Sequence, residues 1–364
     1  MKKNIWCLCI AGMLELVVLL SGCELVFPPT TYEATPTKIS YNISYGYRVN
    51  STGEGLYEIT YWCDTPEVLV GTSTYSLLFN YEYQKKTLGN NTFIHWNISG
   101  KNEQVFELGI TAQVEVDSYL VADLNGADVL TIAEIKERHP EIVSRFTRVQ
   151  GNETIRFIDP HNTAITTIAD GVLIGAKTNN SFLLAKSLFV WLKQNIKYQT
   201  HPGEEGVRQD LVTLHEKQGD CDDLSFLYIS LCRALSIPAR FIRGYLLTDN
   251  NDGTVTATAH AWVEVFVGGS GGLNGWIPVE TACVTSSIQI DIDQNFGVDS
   301  AFHLRLFTDE GNNESFASTL SGISYVIHES NQIITLHSFA EIRNYHVLES
   351  QKLVITVKNT RIYE

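Results

Sequence analysis

The stretch Gln218–Leu235, QGDCDDLSFLYISLCRAL, places Cys221 directly after a Gly-Asp turn and ahead of an apolar run. Its leucines recur at helical spacing, at Leu224, Leu227, Leu231 and Leu235. Because apolar residues also fill the flanks of this stripe, the pattern predicts a buried helix that packs against a sheet. Unpaired N–H groups and the helix dipole at the first turn favour a thiolate. The sequence therefore predicts either an activated cysteine or a core cysteine beside a helix cap.

A histidine that could activate this cysteine lies on a predicted strand, AHAWVEVFV at 259–267. Alternation puts an apolar set on one face of that strand, namely Ala261, Val263, Val265 and Val267. His260 and Trp262 lie on the opposite face. The run GWIPVE at 275–280 follows a Gly-rich loop, so pairing of the two strands would bring Glu280 to the face of His260. A carboxylate there would hold the imidazole in one tautomer, which predicts Cys221, His260 and Glu280 as nucleophile, base and orienting acid.

Two acids follow Cys221 directly, Asp222 and Asp223. Acids in the first turn interact favourably with the helix dipole, so we expect helix-start charges rather than catalysts. Their negative charge disfavours a thiolate, and the helix start and His260 must outweigh it.

Four of the seven cysteines lie beyond the N-terminal segment. Cys232 falls inside the predicted helix and is expected to be a small core residue. Cys283 could be a core residue, a free thiol or the disulfide partner of Cys63. Four cysteines in so long a chain do not form a disulfide framework.

Several of these motifs together resemble the core of the transglutaminase-like superfamily, within the papain-like cysteine peptidase fold. They are Gly219-Asp220-Cys221, LCRALSIPARFIRGYL, HAWVEVFV and GWIPVE, over roughly residues 180–285. The resemblance implies a nucleophilic cysteine on a helix, packed on a β-sheet that carries the histidine and the acid. Cys221 and His260 match directly. At the third position the family usually has Asp followed by Pro, whereas this chain has Glu280-Thr281, whose extra methylene shifts the carboxylate.

The N-terminus has the pattern of an export signal. Lys2 and Lys3 precede an apolar run that ends in Leu20-Ser21-Gly22-Cys23, which resembles the lipobox of prokaryotic lipoproteins. The resemblance implies a cleaved signal peptide at 1–22 and a lipidated Cys23 that begins a Pro/Thr-rich tether at 23–37. The alternative is an uncleaved signal anchor. Both interpretations predict a location at the cell membrane, facing outside the cytoplasm.

Composition limits the remaining possibilities. The 364 residues are 44% hydrophobic and carry a net charge of −15 without a basic patch, so nucleic acid is excluded as a partner. Alternating runs at 38–125 predict a β-sandwich domain. The transglutaminase-like core is expected at 126–290 and a strand-rich extension at 291–364, which makes the fold class α+β. No cluster has metal-ligand spacing, so we predict no metal and no cofactor.

The predicted activity is acyl transfer on a peptide or protein substrate at the membrane surface. Hydrolysis of a peptide or amide bond through Cys221, His260 and Glu280 is the expected outcome, because water is always present. An amine acceptor would give protein crosslinking instead. The remaining alternative is a catalytically impaired domain that serves as a binding or structural module.

Overall fold

The computed structural model describes residues 33–353, apart from 80, 102, 122–125, 127, 152–153, 201–206, 251, 283, 286, 321 and 330. The predicted signal peptide, Cys23 and Cys283 lie outside the described residues. Within the described parts of the chain, no helix combines the length and apolar character that a membrane crossing requires.

The N-terminal region is made of strands rich in Tyr, Ile, Val and Thr, which suit a pleated and half-buried surface. In chain order they are β1 (Glu33–Thr52), β2 (Tyr57–Asp64), β3 (Gly71–Leu77), β4 (Tyr83–Leu88), β5 (Asn91–Gly100), β6 (Gln104–Asp117) and β7 (Tyr119–Leu120).

The middle of the chain is mainly helical and ends in a group of strands. Its elements are α1 (Ile132–Arg138), α2 (Pro140–Phe146), β8 (Gln150–Gly151), β9 (Arg156–Ile158), α3 (Thr163–Ala176), α4 (Ser181–Asn195), β10 (Lys197–Tyr198), α5 (Asp210–Glu216), β11 (Gln218–Gly219), α6 (Cys221–Ala234), β12 (Ala239–Asp249), β13 (Val255–Phe266) and β14 (Trp276–Val279).

The C-terminal region returns to strands. It consists of α7 (Ile288–Asn295), β15 (Val298–Asp299), β16 (His303–Thr308), α8 (Asn313–Leu320), β17 (Ile323–Ile327) and β18 (Ile333–Leu353).

The N-terminal strands form two antiparallel sheets that share one core. One sheet contains β3, β6 and β1, and the other has the order β17-β2-β5-β4. Inward-facing residues such as Tyr41, Ile59, Trp96 and Ile110 are almost fully buried between them. The C-terminal strands complete both sheets, because β17 pairs with β2 and β18 follows β1 in the sheet order. The predicted domain boundaries at 125 and 290 stay predictions.

Helix α6 is the centre of the second core. Every residue from Asp223 to Arg233 is buried, as expected for a helix that is apolar nearly all round. It contacts α3, α4 and α5 as well as the strands β12 and β13. Burying each large aliphatic side chain stabilises the fold by about 2 kcal/mol, so this packing fixes where the first residue of α6 lies.

Strands β13 and β14 form the predicted antiparallel pair, with Val263 opposite Val279. The Gly-rich loop between them passes close to another segment: a Cβ on Gly269, where φ is +63°, would lie 2.0 Å from the backbone oxygen of Asp128. The predicted alternation is confirmed, because the Ala261 face joins the core around α6. The opposite face is left for Trp262 and the polar residues of the site.

Strand β16 lies beside β12, on the side away from β13. Gly244 of β12 pairs with His260 of β13 on one side and with Arg305 of β16 on the other. A Cβ on Gly244 would lie 1.8 Å from the backbone oxygen of Leu304. Since Gly244 carries no side chain, side chains from β13 and β16 can approach one another above it.

Candidate active site

Cys221 is the first residue of α6, and the helix start around it is held by charged side chains. The Asp223 carboxylate accepts a hydrogen bond from the backbone N–H of Asp220 at 3.2 Å. Arg208 donates to the same carboxylate from Nε at 2.9 Å and neutralises its charge. Asp223 is therefore a capping residue, as the sequence predicts.

The Cys221 sulfur lies next to the backbone of β13. The backbone N–H of Ala261, the residue after His260, acts on this sulfur and lowers the pKa of the thiol. Stronger effects act in the other direction: burial, followed by the charges of Asp222 and Asp220, raises the pKa of Cys221 to about 12. The expectation that the helix start favours the thiolate is therefore wrong for this site, because burial and acidic neighbours outweigh the dipole.

Asp222 lies beside the thiol, with its Oδ1 3.8 Å from the Cys221 sulfur. Burial and the hydrogen bond to Asp220 raise the pKa of Asp222 to about 8. Near neutral pH Asp222 is therefore mostly protonated, which reduces the negative charge next to Cys221.

His260 and Glu280 form a direct hydrogen bond, with 2.6 Å between His260 Nε2 and Glu280 Oε2. Because a carboxylate only accepts, Nε2 carries the proton, and in the neutral ring the lone pair is on Nδ1. Glu280 Oε1 accepts a second hydrogen bond from the backbone N–H of Ala282 at 2.7 Å. Burial raises the pKa of Glu280, but His260 and His303 lower it well below its usual range.

His303 is a site residue that sequence reasoning missed. Its Nε2 lies 3.1 Å from Glu280 Oε2, and its Nδ1 lies 3.3 Å from Asp299 Oδ1, an ion-pair contact. Burial lowers the pKa of His303, but the hydrogen bonds and charges of Asp299 and Glu280 raise it to about 9. No motif in the sequence marks His303, and only the pairing of β16 with β12 reveals its place.

Trp262 forms the aromatic wall of this cluster. Its ring lies 4.8 Å from the ring of His303 and 6.1 Å from the ring of His260, measured between centroids. It is 1% exposed, so it excludes water from one side of the two histidines.

A second buried carboxylate lies two residues further along β13. Glu264 accepts a hydrogen bond from Arg240 Nε at 2.8 Å and pairs with Arg305 through its other oxygen. Burial raises the pKa of Glu264, but Arg305 and Arg240 lower it to about 2. Glu264 is therefore a permanently charged structural residue under Trp262.

Two groups of side chains in the described residues bring three potential metal-ligand atoms together. One group is His260, Glu280 and His303, and the other is the segment Asp220–Asp222. In the first group the 2.6 Å separation of His260 and Glu280 is that of a direct hydrogen bond. Two ligands of one tetrahedral zinc ion lie about 3.3 Å apart, so an ion would have to break this contact.

Comparison with known proteins gives a family match over part of the chain. Residues 167–281 match the family model of the transglutaminase-like superfamily. A segment of 83 residues is 32% identical to an uncharacterized protein of Mycobacterium leprae (strain TN), and this alignment covers 22% of the chain and 29% of that relative. The chain thus matches less than a third of the length of this curated relative.

Among the solved structures, one extends the likeness in fold. A "putative cysteine protease" from Cytophaga hutchinsonii has a TM-score of 0.52 at 15% identity, covering 86% of this chain and 93% of that chain. The periplasmic domain of TgpA from Pseudomonas aeruginosa has a TM-score of 0.35 at 14% identity, covering 69% and 92%. Red sea bream transglutaminase has a TM-score of 0.28 at 11% identity, covering 62% and 45%.

The first of these structures shares the fold over most of both chains. Together with the family match, it confirms the predicted α+β fold class and the resemblance on which the prediction rests. Residues 167–281 of this chain are therefore a transglutaminase-like core.

Proposed function

We propose that the protein is a cysteine-dependent hydrolase of peptide or amide bonds, with Cys221 as nucleophile, His260 as base and Glu280 as orienting acid. The observation that carries this proposal is the 2.6 Å contact between His260 Nε2 and Glu280 Oε2. Because Nε2 donates to Glu280, the lone pair of the His260 ring is on Nδ1. The backbone N–H of Ala261, the next residue, acts on the Cys221 sulfur. A nucleophile, a base and a group that orients the base are the parts that covalent catalysis requires.

In the first half-reaction His260 Nδ1 takes the proton of the Cys221 thiol while the sulfur attacks the amide carbonyl. The new C–S bond leaves a negative charge on the carbonyl oxygen, which the backbone N–H groups at the start of α6 can stabilise. His260 then donates the proton to the leaving amine as the C–N bond breaks. Glu280 stabilises the imidazolium that exists between these two transfers.

In the second half-reaction the thioester is resolved. His260 takes a proton from water, the hydroxide adds to the carbonyl, and the C–S bond breaks to release the acid. The proton returns to the Cys221 sulfur, so the enzyme is restored. An amine in place of water would give a new amide bond, which is the chemistry of a crosslinking acyltransferase.

The raised pKa of Cys221 decides how the first step proceeds. With a pKa of about 12, the resting site holds a neutral thiol rather than a preformed ion pair. His260 must therefore act as a general base during the attack. The same raised pKa favours a second candidate function, a transglutaminase-like module that binds a protein partner without turnover.

The test uses the full chain with fluorescently labelled casein as substrate. Release of acid-soluble peptides reports hydrolysis, and incorporation of dansylcadaverine into casein reports transfer to an amine. We expect hydrolysis by the wild type and loss of both signals in Cys221→Ala. Cys232→Ala is the matched control, since Cys232 is fully buried in α6, and it should keep the wild-type rate per folded molecule. A wild type with neither signal would support the binding module.

We further propose that the protein is anchored outside the cytoplasm through lipid on Cys23. Support comes from the sequence Leu20-Ser21-Gly22-Cys23 after an apolar run. Intact mass and detergent partitioning of membrane-expressed protein test this proposal. A mature chain that begins at a lipidated Cys23 supports it, and a chain that retains Met1 would show a signal anchor.

A further inference from the structure

Behind Glu280 lies a second histidine, outside the residues that the family model matches. His303 begins β16, and its side chain is 6% exposed. Its Nε2 contacts Glu280 Oε2, the same oxygen that accepts from His260. The two imidazole rings are nearly parallel, with 10° between their planes and 5.5 Å between centroids. One carboxylate oxygen therefore contacts both of these nearly parallel rings.

The contacts of His303 determine its charge. Nε2 faces the carboxylate of Glu280, and Nδ1 faces that of Asp299 at 3.3 Å. Carboxylates accept hydrogen bonds and repel a nitrogen lone pair, so Nε2 carries a proton and the charge of Asp299 favours a second proton on Nδ1, although the Nδ1 contact lacks hydrogen-bond geometry. This ring is thus a buried imidazolium, and the two carboxylates keep its pKa above the ordinary value.

A cation at this position changes what Glu280 does to His260. A buried carboxylate that faced His260 alone would strongly favour the imidazolium form, and a ring that is already protonated cannot take the thiol proton. His303 shares the same carboxylate oxygen and adds a like charge close to the His260 ring. The shared carboxylate and the nearby positive charge each disfavour a second proton on the His260 ring, at Nδ1.

We propose that His303 is a positioning residue: as a buried cation it holds Glu280 in place and keeps His260 uncharged and able to accept a proton near neutral pH. This inference rests on the proposed function, because it takes His260 as the base. It also accounts for Glu at a position where the family usually has Asp, since the longer side chain reaches between two histidines.

Other charged groups surround this pair. A cavity of about 20 Å³, room for one water molecule, lies behind β16 and is lined by His303, Asp299 and their neighbours. Glu280 and Asp299 contact the histidines directly, and Glu67, Asp117, Tyr119 and Arg305 line the cavity beside His303. On the nucleophile side the titratable groups are Cys221, Asp220, Asp222 and Tyr198. Asp299 contacts His303 and, among the ion pairs in the described residues, has none with His260, so its charge stabilises a positive charge on His303 specifically.

The test is a pH titration of the imidazole nitrogens by NMR, on the full chain with chelator present. His303→Gln keeps an N–H donor for Glu280 but removes the charge. We expect the titration midpoint of His260 to rise by about one pH unit, as loss of a like charge at this range predicts. The pH at which Cys221 gains reactivity toward iodoacetamide should rise by the same amount. A purely structural role would lower reactivity at every pH without moving either midpoint.

His328→Gln is the matched control, because His328 pairs with Glu58 in the sandwich at 3.4 Å and should leave both midpoints unchanged. A folded His303→Gln protein with an unshifted His260 midpoint overturns the inference. The wild type provides a check that needs no variant: His303 should still be doubly protonated at about pH 7.5, and a neutral His303 there also overturns it.

Casein hydrolysis is scored separately, so the two proposals fail in different ways. A shifted His260 midpoint without casein activity keeps the role of His303 and rejects the hydrolase. Casein activity without a shifted midpoint rejects the role of His303 alone.

Discussion

Two buried glutamates on the same face of the sheet are held in similar ways, and we propose different roles for them. Glu264 lies between Arg240 and Arg305, whereas Glu280 lies between His260 and His303. Both carboxylates are about 5% exposed or less, and both have a pKa below the ordinary value. The difference is in the cations.

A guanidinium keeps its charge throughout the accessible pH range, whereas an imidazole gains and loses a proton near neutrality. The Glu264 cluster is therefore fixed and stabilises the sheet. We expect the Glu280 cluster to take up and release a proton without unfolding. A buried carboxylate is suited to catalysis when its partners titrate, and three ways to test this contrast follow.

The largest expected effect is on stability, from Glu264→Gln. This change leaves Arg305, itself 3% exposed, buried without its main counter-charge. Breaking such a pair costs about 3–5 kcal/mol of unfolding free energy, measurable by urea denaturation. Glu280→Gln should cost less, because His303 can release its proton when the carboxylate is lost. Equal losses in the two variants would contradict the contrast.

The second expected effect, from Glu280→Asp, is on turnover rather than on stability. The carboxylate would retreat by about one bond length from two histidines and from the backbone N–H of Ala282. Misplacement by about 1 Å can reduce turnover by about a hundredfold, so casein hydrolysis should fall by that order with little change in binding. Glu137→Asp, at an exposed position of α1, is the control. Higher activity in Glu280→Asp would show instead that Glu is a drifted substitute for the family's Asp.

The smallest expected effect is a slope in stability with pH. The pKa of His303 is about 9 in the folded protein, above its ordinary 6.5. Its contribution is therefore fully present below pH 6.5 and is lost as the pH rises through about 9. Unfolding free energies between about pH 6 and pH 10 should fall more steeply in the wild type than in His303→Gln. Parallel curves would show that His303 is not charged in the folded state.

The sequence-based predictions succeeded where a local pattern determines position. Helical spacing after Cys221 and alternation along 259–267 predicted the helix and the two faces of β13. The side of the sheet on which Glu280 lies followed from the pairing of β13 with β14. His303 could not be predicted, because its contact with Glu280 depends on the pairing of β16 with β12, which are distant in sequence. The direction of the Cys221 pKa was also inaccessible, since it depends on how deeply the thiol and Asp222 are buried.

The C-terminal strands illustrate the same limit. Their alternation marked them as strands, but it carried no information about their partners. Pairing of β17 with β2 joins residues more than 250 positions apart in the sequence, and such a contact leaves no local signature.

The most direct test of the central claim is competitive alkylation of the native protein with iodoacetamide, mapped by mass spectrometry, in the wild type and in His260→Gln. Cys63 and Cys232 are fully buried free thiols, whereas Cys221 is half-buried. We predict that Cys221 reacts at least about tenfold faster than either at neutral pH, and that His260→Gln removes most of this advantage. If Cys63, Cys232 or Cys283 reacts first, or if Cys221 keeps its rate without His260, the assignment of nucleophile and base is contradicted.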